Sequence, residues 1–196
     1  MHPHINDEII TYLRSGYLEH IDSEGYSRKL DNRTWMLMKA GNLFHHEEKI
    51  VDKGEPLEAL QIFIRPGEKD LKPEVKFADL DKLYSENKWR TIAAPDAENG
   101  FQFSSTTWIF DVRLAFTSKI DLPKSIDDGL VALLYVFNGE ITINNEVILG
   151  KKDSIVIENE KVIISANELS DLVLFVTDKN KPYFDGGMFS GNRNEK

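Results

Sequence analysis

Four of the five histidines in this 196-residue chain stand in two short segments. His2 and His4 flank Pro3. His45 and His46 run directly into Glu47 and Glu48. In an extended strand, residues two apart point to the same face. His2 and His4 then form one facing pair, and His46 and Glu48 another. Three imidazoles and a carboxylate converging from two strands suit a divalent transition metal. Nitrogen and oxygen donors without thiolate fit iron, nickel, copper, manganese or zinc, and they leave coordination positions open for water or substrate. The chain has no cysteine, so thiolate metal sites, disulfides and thiol nucleophiles are excluded.

Composition narrows the class further. The formal charge is −9, which argues against a nucleic-acid-binding face and against an anionic membrane surface, since both need clustered Lys and Arg. No segment approaches transmembrane length, and a soluble, cytoplasmic protein is the expectation. Eleven Phe, 6 Tyr and 3 Trp supply ample core material. Other chemistries find little support. There is no Gly-x-Ser-x-Gly elbow, and Gly186-Gly187 is an isolated pair rather than a phosphate loop.

The elements that must position the histidines read as β-strands. Glu8 to Asp22 is rich in β-formers and is broken at Ser15-Gly16. Thr34 to Met38 and Leu57 to Ile64 are strand-like, and Gly41-Asn42 turns the chain into the His/Glu segment. Residues 66–104 are charged and contain three prolines. They read as a connector with one helical turn at Ala78–Leu83 and a brief return to the sheet near Trp89–Ala93. From Thr106 the β pattern resumes, with an apolar run at Leu130–Phe137 and hairpin turns expected at Asn138-Gly139 and Asn144-Asn145. Short strands at regular spacing point to antiparallel barrels or sandwiches. Two β units follow: residues 1–99 with the metal site and connector, and residues 100–196, without histidine, as a metal-free second unit with an irregular covering tail.

The motifs carry a family resemblance. His2-Pro3-His4, Glu8, Thr11-Tyr12, Gly16, His20, Asp22-Ser23, Gly25, Ala40-Gly41, His46 and Glu48 occur in this order. Together they resemble the pirin family of bicupins. Leu60-Gln61-Ile62-Phe63, Ala94-Pro95-Asp96 and Leu172-Val173-Leu174-Phe175 also resemble family features. The resemblance implies an all-β fold of two cupin barrels in tandem, of jelly-roll type. It implies a metal in the first barrel bound by His2, His4, His46 and Glu48, with Fe(II) the expected ion and Ni, Cu, Mn or Zn the alternatives. The spacing from Ala40-Gly41 selects His46 and Glu48 over His45 and Glu47, which a one-residue slip would bring inward. A pirin normally carries further strands before its His-Pro-His, so the first barrel is expected to be open and completed by a second copy in a homodimer.

That likeness also implies chemistry. The expected activity is a quercetin 2,3-dioxygenase-type oxidation of a flavonol-like aromatic, with Glu48 taking the substrate's hydroxyl proton and Glu8 in reserve. Trp35, Met36, Met38, Phe44 and Phe63 are candidate apolar lining for a flat substrate. The alternative is a non-enzymatic metal- or redox-sensing protein that binds a transcriptional or metabolic partner.

Overall fold

The computed structural model describes residues 1–123 and 129–190, and every regular element among them is a β-strand. The chain divides into two compact units. The first holds Met1–Leu83, Phe103–Ser105 and the C-terminal segment from Pro182. The second holds Tyr84–Gln102 and Thr106–Lys181.

The first unit contains β1 (His2–His4), β2 (Glu8–Ser15), β3 (Leu18–Asp22), β4 (Ser27–Leu30), β5 (Thr34–Lys39), β6 (Phe44–Ile50), β7 (Glu58–Ile64) and β8 (Glu74–Asp79). They form two antiparallel four-stranded sheets, ordered β1-β6-β3-β4 and β7-β2-β5-β8. Consecutive strands alternate between the sheets in part, as in a jelly roll. For that reason Ser15-Gly16 does not close a hairpin: β2 pairs with β5 and β7, whereas β3 pairs with β4 and β6. Strand alternation sends Ile9 and Leu13 of β2, Leu18 of β3, Met36 and Met38 of β5 and Phe44 of β6 into one core with Leu30, Ala40 and Val75. Each such fully buried aliphatic or aromatic side chain favours folding by about 1.5–3 kcal/mol. The helical turn expected at Ala78–Leu83 does not form. Ala78 and Asp79 instead finish β8, paired with Trp35 and Thr34 of β5. The unpaired edge of β5 outweighs a weak local helical preference.

The second unit contains β9 (Arg90–Ala94), β10 (Phe101–Gln102), β11 (Thr107–Leu114), β12 (Lys119–Asp121), β13 (Leu130–Asn138), β14 (Ile141–Ile143), β15 (Val147–Leu149), β16 (Ser154–Glu158), β17 (Ile163–Ala166) and β18 (Ser170–Asp178). Its sheets run β10-β9-β11-β18-β13-β16 and β12-β17-β14-β15. The core includes Val112, Leu134, Val136, Ile141, Ile164, Leu172 and Leu174. Asn144 and Asn145 both take left-handed backbone angles and close the β14–β15 hairpin, as expected. Asn138-Gly139 does not make a hairpin. Gly139 (φ +89°) carries the chain from β13 in one sheet to β14 in the other. The tandem all-β architecture read from the sequence is what the structure shows. Among the described residues no helix is long and apolar enough to cross a membrane.

Gly41 fixes the approach to β6. Its φ is +55°, and a Cβ there would collide with the Leu71 carbonyl. Its own carbonyl accepts the Asn6 N–H at 2.8 Å, locking the turn after β1. Gly41→Ala therefore combines left-handed strain with a backbone clash. It should cost about 2 kcal/mol or more, read as a fall in the urea midpoint at constant m-value.

Candidate metal centre

The site is built by strand register. β1 lies antiparallel to β6, with His2 opposite His46, Pro3 opposite His45 and His4 opposite Phe44. β3 pairs with the other side of β6, placing His20 opposite Glu48 and Asp22 opposite His46. Residues directly opposed across an antiparallel pair share a face. His2, His4, His20, Asp22, His46 and Glu48 are thereby gathered on one face. Pro3 is tolerated because β1 is an edge strand. His45 and Glu47 point the other way, and Glu47 pairs with Lys49 at 3.3 Å. The register thus selects His46 and Glu48 over their neighbours.

Three nitrogens converge. His4 Nε2 lies 3.0 Å from His2 Nε2 and 3.1 Å from His46 Nε2. Two ligands at right angles around an ion, each with a bond of about 2.1 Å, stand about 3.0 Å apart. The three rings meet edge-on, with centroids 4.5–4.9 Å apart. His4 and His46 are buried, whereas His2 remains exposed. Burial, reinforced by His4, His2 and His20, lowers the His46 pKa to about 3. Burial, His4 and the chain's amino terminus lower that of His2. Both rings are neutral at physiological pH, which is the form that binds a metal. The donor set fits a divalent transition ion.

His4 is oriented from behind. Its Nδ1 faces Asp7 Oδ2 at 3.2 Å. Burial alone would raise the Asp7 pKa, but hydrogen bonds from His4, Ser190 and Phe189 outweigh it and hold the carboxylate ionised. A carboxylate behind a histidine ligand fixes its tautomer and strengthens it as a donor.

Glu48 has its own partners. Thr11 Oγ1 donates to Oε1 at 2.9 Å, and Gln61 Nε2 donates to Oε2. Thr11 and Gln61 are opposed in the β2–β7 register, so one strand pair supplies both donors. Burial raises the Glu48 pKa against the opposing pull of Thr11, His20 and Gln61. An oxygen of Glu48 lies within 4.8 Å of donor nitrogens of His20 and His46, while the grouping around His2 and His4 consists of imidazoles. The structure therefore brings the three predicted histidines together and sets Glu48 beside them, tethered to the opposite sheet. His20, predicted only as a motif position, is fully buried. Its Nε2 donates to Asp22 Oδ2 at 2.7 Å, and among the described residues neither its Nδ1 nor that of His46 has a hydrogen-bond partner.

A cavity of about 280 Å³ opens beside the three imidazoles, with Glu48 and Gln61 on one side and Ile9, Phe63 and Phe189 as apolar wall. Of the five predicted lining residues only Phe63 borders it. Met36, Met38 and Phe44 are consumed by the core, and Trp35 packs near Tyr12 at 6.0 Å. Phe189 had no signal in the sequence. Thr11 and Gln61 stood in the family motifs without a role, and their shared register was the missing information. Glu8, the reserve carboxylate, is turned away from the cavity: both its oxygens accept the Ser104 N–H, and Lys39 lies 3.9 Å away.

Fold and site together define a tandem cupin with a histidine-lined centre in its first unit. A family model described as Pirin matches residues 1–64. A quercetin 2,3-dioxygenase of Escherichia coli K12 is 28% identical over 178 residues, spanning 89% of this chain and 74% of that protein. The E. coli protein YhhW superposes with a TM-score of 0.81 at 26% identity, covering 90% of this chain and 74% of that one. The bacterial pirin YhhW in complex with nickel(II) gives the same TM-score at 24% identity, covering 90% and 75%. The chain is pirin-like, as its motifs led us to expect.

The buried neutral His46 makes metal-free stability depend on pH. Its folded pKa, about 3, lies below the ordinary 6.5. The unfolded chain therefore binds the extra proton first as pH falls through 6.5, and stability drops as the solution is acidified. Between pH 6.5 and about pH 5 the loss from this group should be about 2 kcal/mol. Urea denaturation of metal-free protein should show it, and His46→Leu should flatten the slope.

Proposed function

We propose that this protein is a metal-dependent oxidoreductase of the quercetin 2,3-dioxygenase type, acting on a small, planar, hydroxylated aromatic. The observation that carries this reading is the convergence of three imidazole nitrogens on a cavity whose other walls are apolar or carry Glu48 and Gln61. The names of the E. coli relative and of the nickel-bound neighbour support it. His2, His4 and His46 would hold the ion, with Glu48 beside His46. Iron or nickel are the ions we expect. A bound ion would act as a Lewis acid that lowers the pKa of a coordinated hydroxyl and orients the substrate toward dioxygen.

The chain's own groups do the rest. Phe63 and Phe189 offer aromatic surface to a flat ring, and Ile9 closes the floor. At about 280 Å³ the cavity lies just under the roughly 300–1,000 Å³ usual for ligand cavities, so it takes no more than a single small molecule. Glu48 is raised by burial toward the pH at which a carboxylate can accept and hold a proton. Thr11 and Gln61 keep its two oxygens oriented while it does so. After gaining the proton on one oxygen, Glu48 can keep accepting from the remaining donor. The non-enzymatic sensor reading would not require a substrate-sized, partly apolar cavity next to the donor atoms.

Aerobic turnover of quercetin by iron- or nickel-loaded protein, followed by loss of the flavonol absorbance, is the direct test. His46→Ala should abolish turnover. Glu48→Gln should lower kcat by about 10²–10⁴-fold with a smaller change in KM, as expected when a proton acceptor is lost. Wild-type turnover no faster than His46→Ala would sink the enzymatic reading.

A further inference from the structure

The C-terminal segment returns to the first unit and reaches the site from behind. Phe184 N–H donates to the Pro66 carbonyl at 2.8 Å, and Met188 N–H to the Ile5 carbonyl at 2.8 Å. Arg65 anchors the segment twice, pairing with Asp185 at 3.0 Å and donating from Nε to the Ser190 carbonyl at 2.8 Å. At its end the segment surrounds Asp7. The N–H groups of Phe189 and Ser190 donate to the Asp7 carboxylate at 3.1 Å and 2.8 Å, and Ser190 Oγ–H donates at 2.7 Å. The Phe189 ring also packs on the His4 ring, with centroids 4.9 Å apart.

These contacts determine a proton position. Three donors converge on Asp7 Oδ1, so the carboxyl group is an acceptor throughout. Its other oxygen faces His4 Nδ1, which must then carry the imidazole proton. The lone pair is left on Nε2, the atom that meets His2 and His46. Had Asp7 no such donors, it could rotate away and His4 could take the other tautomer, whose Nε2–H cannot bind a metal. Close packing makes the seat specific. A Cβ on Gly187 would run into Ser190 Oγ, the Asn6 carbonyl at 2.6 Å and Asp7 Oδ1 at 2.9 Å. Only a residue without a side chain lets the segment lie this close to Asp7.

We propose that Gly187–Ser190, acting through Asp7, is a positioning element that holds His4 in its Nδ1–H tautomer and so sets the affinity of the three-imidazole site for a divalent ion. The inference rests on the metal-binding reading above, and it assigns to the far end of the chain control over a ligand near the beginning.

Two readouts test it. Histidine tautomers in the metal-free protein are read by ¹⁵N–¹H correlation NMR, and affinity is read by Ni²⁺ titration calorimetry. Wild type should show His4 as the Nδ1–H tautomer. Asp7→Asn should shift it toward Nε2–H, because the amide can donate where the carboxylate accepted, and should weaken Ni²⁺ binding by about 10–100-fold. Gly187→Ala and Ser190→Ala should move both readouts in the same direction by smaller amounts, and they serve if Asp7→Asn does not fold. An unchanged His4 tautomer in all folded variants, with Ni²⁺ affinity within about twofold of wild type, would overturn the proposal. Wild type that takes up no Ni²⁺ while its His4 tautomer still follows Asp7 would overturn the metal reading and support the positioning role.

Discussion

Neutral imidazole nitrogens repel one another when their lone pairs meet at hydrogen-bond distance, and a folded chain does not bring them together without cause. Here His4 Nε2 is held about as close to two other Nε2 atoms as ligands of one ion would be. The arrangement persists because β1 and β6 are in fixed register, and because that register is tied to which face of β6 is buried. A slip by one residue would carry His46 outward and Glu47 inward, and it would expose Phe44, which is fully buried. Hydrophobic burial thus enforces the geometry of a polar site.

The polar groups around that centre are arranged in layers that settle each other's protons. Asp7 faces His4, and Asp22 faces His20. Asp22 is in turn held by the N–H groups of Glu24 and Tyr26 at 2.9 Å and 3.0 Å. Both carboxylates therefore act as fixed acceptors. Glu48 belongs to the opposite arrangement: burial pushes its pKa up, and its two donors come from the other sheet. Asp7 and Asp22 hold imidazoles, while Glu48 is left able to gain a proton. Environment separates the roles of chemically similar groups.

The fold was legible in the sequence wherever local chemistry and tertiary pairing agreed. Asn144-Asn145 closes its hairpin because both residues tolerate left-handed angles. The Leu130–Phe137 run lies within β13, an interior strand paired with β18 on one side and β16 on the other, because it is apolar on both faces. Reading failed where two sheets competed for the chain. Ser15-Gly16 and Asn138-Gly139 have the composition of hairpin turns, but each carries the chain from one sheet to the other. Composition encodes a turn, not the strand that follows it. Ala78-Asp79 looked like part of a helical turn because its pairing partner, β5, lies far away in sequence.

The sequence by itself singled out His2, His4 and His46 as the candidate imidazoles, because residues two apart in a strand share a face. Tertiary structure decided everything that depends on pairing between distant strands. It gave Thr11 and Gln61 to Glu48, withdrew Met36, Met38 and Phe44 into the core, and brought Phe189 and Ser190 against the first turn of the chain. Side-chain alternation is a local rule and can be read along the chain. Which strand lies beside which, and which tail lies over which carboxylate, are long-range contacts set by the balance of burial over the whole unit.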